Sequence, residues 1–170
     1  VKSGDFVTYT LRVYNEGNYD GYAKEISEDI PEGLEFIVIG DEKIWSWDGK
    51  TLNDITEEIE NSDMYDKIVE VNSNWGYNKD SSIITTKTLS EDLIKAFGKE
   101  NVNYADAENK IDYKEVKVIF RVKDDVLPNV TKRNEAAISQ DEAINDKGEK
   151  IEISDRDSKP ENWNKENSNK

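Results

Sequence analysis

The chain has 170 residues, with 38 Asp and Glu against 23 Lys and Arg, which gives a formal net charge of -15. This length suits one domain with a substantial core, and the negative field would repel nucleic acid and anionic membranes, so cations or other proteins are the expected partners. Cysteine and histidine are both absent, which excludes zinc sites, thiol nucleophiles and every catalytic pairing that uses histidine as the base.

The patterns in the first part of the chain predict three strands. Residues 7 to 14 alternate apolar and polar side chains and are rich in β-branched and aromatic residues, as in a half-buried strand. A stretch of glycine, asparagine and aspartate indicates a turn, the alternation resumes over 22 to 30, and Pro31 breaks it. The apolar run 34 to 39 predicts a third strand.

Residues 40 to 110 have a less regular pattern and are interpreted as an insertion. Short strands are predicted at 67 to 71 and at 82 to 89. Two small helices are also predicted, one beginning after Thr51 and one capped by Ser90. We expect both helices to lie against a sheet.

Strict alternation returns at 113 to 122 and again at 130 to 139. Short strands separated by turns, with the helices confined to one insertion, predict a mainly β fold, namely an immunoglobulin-like β-sandwich with a mixed α/β insertion. The domain is expected to span residues 1 to 158. Residues 159 to 170 are polar and lack periodicity, which predicts a linker or a disordered tail.

Two polar residues fall on the predicted inner face of the strands. Glu28 is in register with Ile26 and Ile30, and Asn134 is in register with Ala136. A buried carboxylate or amide without a hydrogen-bond partner costs several kcal/mol, so each side chain needs one. Hydrogen bonds to each other, to the backbone or to trapped water are the ordinary structural explanation.

The alternative explanation is an autocatalytic amide cross-link. A lysine amine attacks the side-chain carbonyl of an asparagine and expels ammonia, while a neighbouring carboxylic acid polarises that carbonyl. Burial favours this chemistry, because desolvation lowers the pKa of a lysine and raises the pKa of a carboxylic acid, so that the amine is free and the acid can donate a hydrogen bond. Fixed positions on neighbouring strands supply a high effective concentration.

Five stretches of the chain share a recognisable pattern: VKSGDFVTYTLRVYNEGNYDGYAKEISEDIPEGLEF, LIKAF, IDYKEVKVIFRV, RNEAAIS and DRDSKPENW. Together they cover most of the chain and resemble the repeated immunoglobulin-like domains of Gram-positive surface proteins, which are related to the isopeptide-forming domains of fimbrial adhesins. The resemblance implies that Glu28 is the catalytic acid and that Asn134 is the isopeptide acceptor. The acid is commonly aspartate in such domains, so Glu28 departs from that pattern.

The resemblance also implies a reactive lysine on a strand that precedes the first one found here. Lys24 shares its strand with the acid, Lys87 lies in an ambiguous segment, and Lys114 opens a strand at its rim, so none is a convincing interior lysine. We therefore expect the nucleophile upstream of Val1 and a sandwich that lacks its first strand. Such a domain accepts a lysine-bearing strand or peptide, or it carries no bond at all.

The acidic stretch before the tail indicates a candidate cation site. Oxygen ligands are dense between residues 141 and 157, although no EF-hand loop is present. The resemblance implies that an Asp-x-Asp-Ser-x-Pro end forms a calcium-supported junction to the next domain, with Asp155 and Asp157 as the expected Ca²⁺ ligands. A solvated acidic linker is the alternative, and the chemistry proposed for Glu28 requires no cofactor.

Aromatic residues cluster in the insertion as Trp45, Trp47, Trp75 and Tyr77. Exposed rings of this kind stack on sugars or anchor a protein partner, whereas buried rings pack the base of an insertion. The cluster defines a second functional hypothesis, in which the domain is a non-covalent adhesive module that binds carbohydrate or host protein.

The leading prediction is a structural module of an extracellular bacterial surface protein or adhesin at the cell wall. It is not an enzyme, because its chemistry is at most one autocatalytic turnover. Its expected partners are a lysine-bearing strand or peptide, neighbouring surface domains, and a host protein or glycan. Nucleic acid and membranes are not expected partners of so acidic a chain.

Overall fold

The computed structural model describes residues 1–97, 111–124 and 136–152, which form ten strands and two helices. In chain order these are β1 Phe6–Tyr14, β2 Asp20–Asp29, β3 Leu34–Ile39, β4 Ile44–Trp47, β5 Leu52–Asp54, α1 Thr56–Glu60, α2 Tyr65–Asn72, β6 Trp75–Tyr77, β7 Ile83–Thr86, β8 Tyr113–Val122, β9 Ala136–Ile144 and β10 Lys150–Ile151. Within the same ranges, no helix has the length and apolar character that crossing a bilayer demands.

The fold is mainly β, as predicted, and has two antiparallel sheets of five strands each. The first sheet has the order β1-β8-β3-β4-β5, and the second has the order β10-β9-β2-β7-β6. Because every second side chain of a strand points to the same face, each sheet contributes an apolar face. These two faces pack together in one core cluster, which gives the molecule a sandwich-like architecture.

The sequence pattern predicted the principal strands correctly. The strands predicted from alternation at 7–14, 22–30 and 113–122 are β1, β2 and β8, and the strand predicted from the apolar run at 34–39 is β3. β3 is apolar on both faces because the helices cover its outer face at Ile37.

The two helices form a further layer on the outer face of the first sheet. Their apolar residues pack with outward-facing residues of β3, β4 and β8 in a second core cluster of Ile37, Ile44, Ile59, Ile68 and Ile119. Arg121 of β8 lies at the edge of this cluster. Its guanidinium donates to Glu58 of α1 at 2.7 Å, to Glu35 at 3.1 Å and to Asp124 at 3.1 Å. The helical layer is therefore held by apolar packing and by a charged link.

Asn72 connects the helical layer to the backbone of the sheet. The pairing of β3 with β8 ends at Phe36 and Phe120, so the two strands separate beyond that point. The Asn72 amide fills the gap: its nitrogen donates to the carbonyls of Ile37 and Ile119, each at 2.9 Å, and its oxygen accepts from the N–H of Ile119 at 3.0 Å. The side chain thus replaces hydrogen bonds that the strand ladder no longer makes.

Three predictions within the insertion were wrong. Residues 67–71 are not a strand but belong to α2, because Ile68 and Asn72 are one helical turn apart and both face the sheet. The helix expected after Thr51 begins later, since the intervening residues form β5 against β4. The helix expected from Ser90 is absent from the described residues, because Ile94 forms an antiparallel bridge with Gly21 instead.

The last predicted strand is described only in part. The strand expected at 130–139 continues beyond its predicted end, since β9 extends to Ile144 and pairs with β2 along most of its length. Residues 130–135 and the polar tail 159–170 lie outside the described residues. The predicted domain limit at 158 lies outside them as well.

Candidate functional site

Glu28 lies in the middle of the second sheet and faces the core. Glu28 is 0% exposed, and its two cross-strand neighbours are Ile84 of β7 and Ala136 of β9. The flanking same-face residues Ile26 and Ile30 are 2% and 9% exposed. The inward orientation that alternation predicted for this carboxyl group is therefore confirmed.

Such burial has a chemical consequence. Transfer of a carboxyl group from water to an apolar interior favours its neutral form, and a protein keeps a carboxyl group there only when other interactions compensate for the lost hydration. A neutral carboxyl group can donate a hydrogen bond as well as accept one. Glu28 is thus placed where an acid can polarise a carbonyl group in a region without bulk water.

Tyr9 is an inward residue of β1, in the sheet that packs against the sheet of Glu28. Its ring packs edge-on against Phe120, with ring centroids 5.6 Å apart. Burial, and to a lesser degree a charge on Glu28, raise the pKa of Tyr9 above its ordinary value of 10.0. The Tyr9 hydroxyl therefore stays protonated and can act as a hydrogen-bond donor in this part of the core.

Tyr9 was not among the predicted site residues. It occupies an inward position of β1, between Val7 and Leu11, where the other members of the stripe are aliphatic. A hydroxyl-bearing ring in an aliphatic stripe was the available signal. The sequence alone could not show that this ring shares its surroundings with Glu28, because the two strands belong to different sheets.

The predicted acceptor, Asn134, lies outside the described residues, and so do the predicted calcium ligands Asp155 and Asp157. The nearest described position to the acceptor is Ala136, two residues later, which is the first residue of β9 and the cross-strand neighbour of Glu28. The strand that follows the acceptor in sequence therefore reaches the acid directly.

No lysine of the described part of the chain is buried. Lys24 was expected in phase with Glu28, but a bulge between Ala23 and Glu25 breaks the alternation. The Lys24 ammonium instead donates to the carbonyl of Ser90 at 2.7 Å. The sequence gives no local sign of this bulge, so the prediction that Lys24 points to the same face as Glu28 was wrong.

The other two lysines considered are also unsuited to attack a buried amide. The Lys87 side chain is 67% exposed and lies 3.6 Å from Glu25. Lys114 pairs with Val13 at the end of the β1 and β8 ladder, beside the exposed residue Tyr113. None of the three lysines considered is therefore placed for the predicted reaction.

The aromatic cluster of the insertion is mostly packed inside. Trp47 and Trp75 are 3% and 7% exposed, so neither ring can stack on a sugar. Trp47 contacts Tyr77 with ring centroids 5.7 Å apart, and the Trp75 indole donates to the carbonyl of Lys117 at 2.7 Å. Trp45 and Tyr77 are half-buried. This arrangement fits the alternative that these residues pack the base of the insertion.

Acidic residues of the described chain do not form a metal site. Among residues 1–97, 111–124 and 136–152, no group of three acidic side chains is arranged to hold an ion. The turn before β10 is organised by Asn145, whose side-chain oxygen accepts from the N–H groups of Lys147 and Glu149, each at 2.9 Å. The calcium prediction at the two later aspartates stays a prediction.

Comparisons with known proteins found no matching family model, no similar curated protein and no similar solved structure. The resemblance to Gram-positive surface domains therefore depends on the sequence motifs alone. The two sheets, the buried acid and the strand that follows the predicted acceptor are independent of that resemblance.

Proposed function

We propose that this chain is an immunoglobulin-like structural module of a bacterial surface protein, and that Glu28 and Asn134 are the acid and the acceptor of an autocatalytic lysine–asparagine isopeptide bond. The observation that supports the proposal best is the complete burial of Glu28 beside Ala136, two residues after the acceptor. A carboxyl group at such a depth, next to that strand, is what the reaction requires.

The reaction is a transamidation that balances without a cofactor. The neutral amine of a lysine attacks the side-chain carbonyl carbon of Asn134, while the protonated carboxyl group of Glu28 donates a hydrogen bond to the carbonyl oxygen. The new carbon–nitrogen bond forms as the bond to the original amide nitrogen breaks. The proton lost by the amine passes to that nitrogen through the Glu28 carboxyl group, and ammonia leaves.

The amine is supplied by a lysine on an added strand or peptide. Every lysine of the described chain is exposed or half-buried and is therefore unsuited to the reaction. A covalent link of this kind would serve a surface protein that has no cysteine and hence no disulfide to resist pulling or proteolysis. We accordingly place the protein at the bacterial cell surface.

Intact-mass measurement tests the proposal. The chain is incubated with a nine-residue strand peptide that has a central lysine, and the expected product has the mass of the chain plus the peptide minus one ammonia. Asn134→Ala should abolish the product, and Glu28→Gln should nearly do so. The matched controls are Asn18→Ala and Glu32→Gln, which change exposed residues and should leave coupling unaltered.

Two results would contradict the assignment. One is coupling that survives both Asn134→Ala and Glu28→Gln. The other is a wild-type chain that forms no adduct and has not itself lost one ammonia. A wild-type chain that is already lighter by one ammonia, and regains that mass with Asn134→Ala, would support the bond but place the amine within the chain.

A further inference from the structure

Three of the four edge strands in the described part of the molecule are very short. The sheets end at β1, β5, β6 and β10. β5 and β6 have three residues each and β10 has two, whereas β1 has nine. Short edge strands are one way in which proteins prevent pairing with other chains. β1 is the one long terminal strand among the described edges, although β9 also has no described neighbour on its outer side before Ala143, since β10 pairs only with Ala143 and Ile144.

β1 also lacks the other usual protections of an edge. All residues from Phe6 to Tyr14 pair with β8 in unbroken register, and no described residue pairs with the opposite edge of the strand. The strand contains no proline and no bulge. Its single charged residue, Arg12, binds Glu115 of β8 at 2.6 Å on the outer face. A long, regular edge of this kind is a template for another strand.

β1 and β9 border the same side of the sandwich. The contact between Trp47 of β4 and Tyr77 of β6 shows that the β5 edge of the first sheet faces the β6 edge of the second. The opposite ends of the two sheet orders, β1 in the first sheet and β9 with β10 in the second, therefore lie at the other side. We refer to this side, between β1 and β9, as the open side.

The described residues leave the core incompletely covered at the open side. The inward residues Val7, Tyr9 and Leu11 of β1 are only half-buried, although their cross-strand partners on β8 are at most 6% exposed: Phe120, Val118 and Val116. On the facing sheet, Ile138 of β9 is 37% exposed, whereas its cross-strand partner Ile26 is 2% exposed. Both borders of the open side therefore present apolar side chains to solvent.

We infer that the open side binds an added β-strand, a peptide of neutral or positive charge that pairs with the edge of β1 that no described residue occupies, and that turns apolar side chains and one lysine towards the core. The position of the lysine rests on the proposed function, whereas the strand pairing does not. A second copy of this chain is a poor occupant, because two bodies of charge -15 repel each other. A lysine-bearing strand is instead attracted.

The side chains of β1 define the register of the added strand. A lysine beside Tyr9 would turn to the inner face, the side on which Glu28 is buried, and its two same-face neighbours would lie beside Val7 and Leu11. Those two neighbours should be apolar. Because the side-chain period of a strand is two, moving the lysine by one position would turn it to the outer face.

Binding is measured with a chain that cannot couple. A fluorescent nine-residue peptide, with lysine in fifth place and valine or isoleucine at the odd places, is titrated into the Asn134→Ala chain. Leu11→Arg puts a charge on the inward face of the edge and should weaken binding about tenfold or more. Thr10→Arg puts the same charge on the outer face of the same strand and should change binding less than about threefold.

Amide hydrogen exchange of the unmodified chain provides a second measurement. The peptide should slow exchange at β1 and leave β5 unchanged, because only β1 gains a neighbour. This readout does not depend on the folding of any variant. The wild-type chain should also couple to the peptide, and a peptide in which lysine is exchanged with the residue in fourth place should dock without coupling.

The remaining outcomes of these experiments would contradict either the strand pairing or the proposed function. Absence of saturable binding, equal effects of Leu11→Arg and Thr10→Arg, or protection away from β1 would overturn the inference. Sedimentation of the wild-type chain as a dimer that Leu11→Arg dissociates would assign the edge to a second copy. Docking without a covalent product would leave the inference standing and remove the proposed function, whereas undiminished coupling by Leu11→Arg would do the reverse.

Discussion

Asn72 makes more backbone hydrogen bonds than its place at the end of a short helix suggests. Replacing it with leucine would leave three buried backbone groups, on Ile37 and Ile119, without their partners. Unsatisfied buried groups cost about 1–3 kcal/mol each, so we expect Asn72→Leu to lower the free energy of unfolding by about 3 kcal/mol or more. Denaturant titration monitored by tryptophan fluorescence measures this loss.

The matched control is the same substitution two residues later. Asn74 is exposed, and its amide donates only to carbonyls at the end of the helix, those of Glu70 and Val71. Water can replace those bonds, so Asn74→Leu should cost less than about 1 kcal/mol. Equal losses for the two variants would show that Asn72 contributes through helix termination and not through the sheet.

The turn between β4 and β5 is tied to the end of β8 by one ion pair. Lys123 donates to Asp48 at 2.9 Å, and the N–H groups of Lys50 and Thr51 donate to the other carboxylate oxygen. Burial opposes ionisation of this carboxyl group, but the hydrogen bonds from Lys123 and from the two backbone groups prevail and lower the pKa of Asp48 from 3.8 to about 2.

The depressed pKa defines a pH window for this link. The folded state holds Asp48 ionised at pH values where the unfolded chain binds a proton, so the stabilisation is complete above pH 3.8 and is lost as the pH falls towards 2. Lys123→Met should lower the free energy of unfolding by about 1 kcal/mol at neutral pH. Denaturant titrations across that window should show the difference shrinking.

Lys43→Met is the matched control, because it removes another lysine–aspartate pair near the β4–β5 hairpin. It removes a more exposed pair with Asp54, whose side chain is 39% exposed, so its cost at neutral pH should be smaller. A difference for Lys123→Met that stayed constant down to pH 2 would contradict the assigned link and indicate lost packing of the lysine stem instead.

The elements that the sequence predicted are those whose local pattern matches their burial. β1 and β2 alternate, β3 is a continuous apolar run that is buried on both faces, and Glu28 could be placed in the core by the period of two in β2. The count failed where tertiary contacts decide the conformation. Ile94 is extended because it pairs with Gly21, and Lys24 leaves the inward phase because a bulge precedes Glu25. Neither contact is visible in local sequence.

The molecule as a whole carries a large excess of negative charge. With a net charge of -15, mutual repulsion destabilises the compact state at low ionic strength, and salt screens that repulsion. We expect the thermal unfolding midpoint to rise by about 4 °C between about 0.02 M and about 0.5 M sodium chloride. Differential scanning calorimetry at neutral pH measures the shift.

A charge reversal separates this general effect from local pairs. Glu60 is exposed and lies at the end of α1, close in sequence to two other acidic residues of that helix. Glu60→Lys should raise the midpoint at low salt, and the gain should fall as salt is added. A midpoint that drops with salt would indicate that local ion pairs such as those of Arg121 outweigh the net repulsion.

The amide of Asn72 has a consequence for how this domain could be shortened. A surface excursion that only covers a finished sheet can be excised and replaced by a tight turn. Here the segment that carries α2 supplies hydrogen bonds that β3 and β8 do not make to each other. A shortened chain without α2 would keep both strands but leave these backbone groups unpaired. The helical layer is therefore required to complete the sheet.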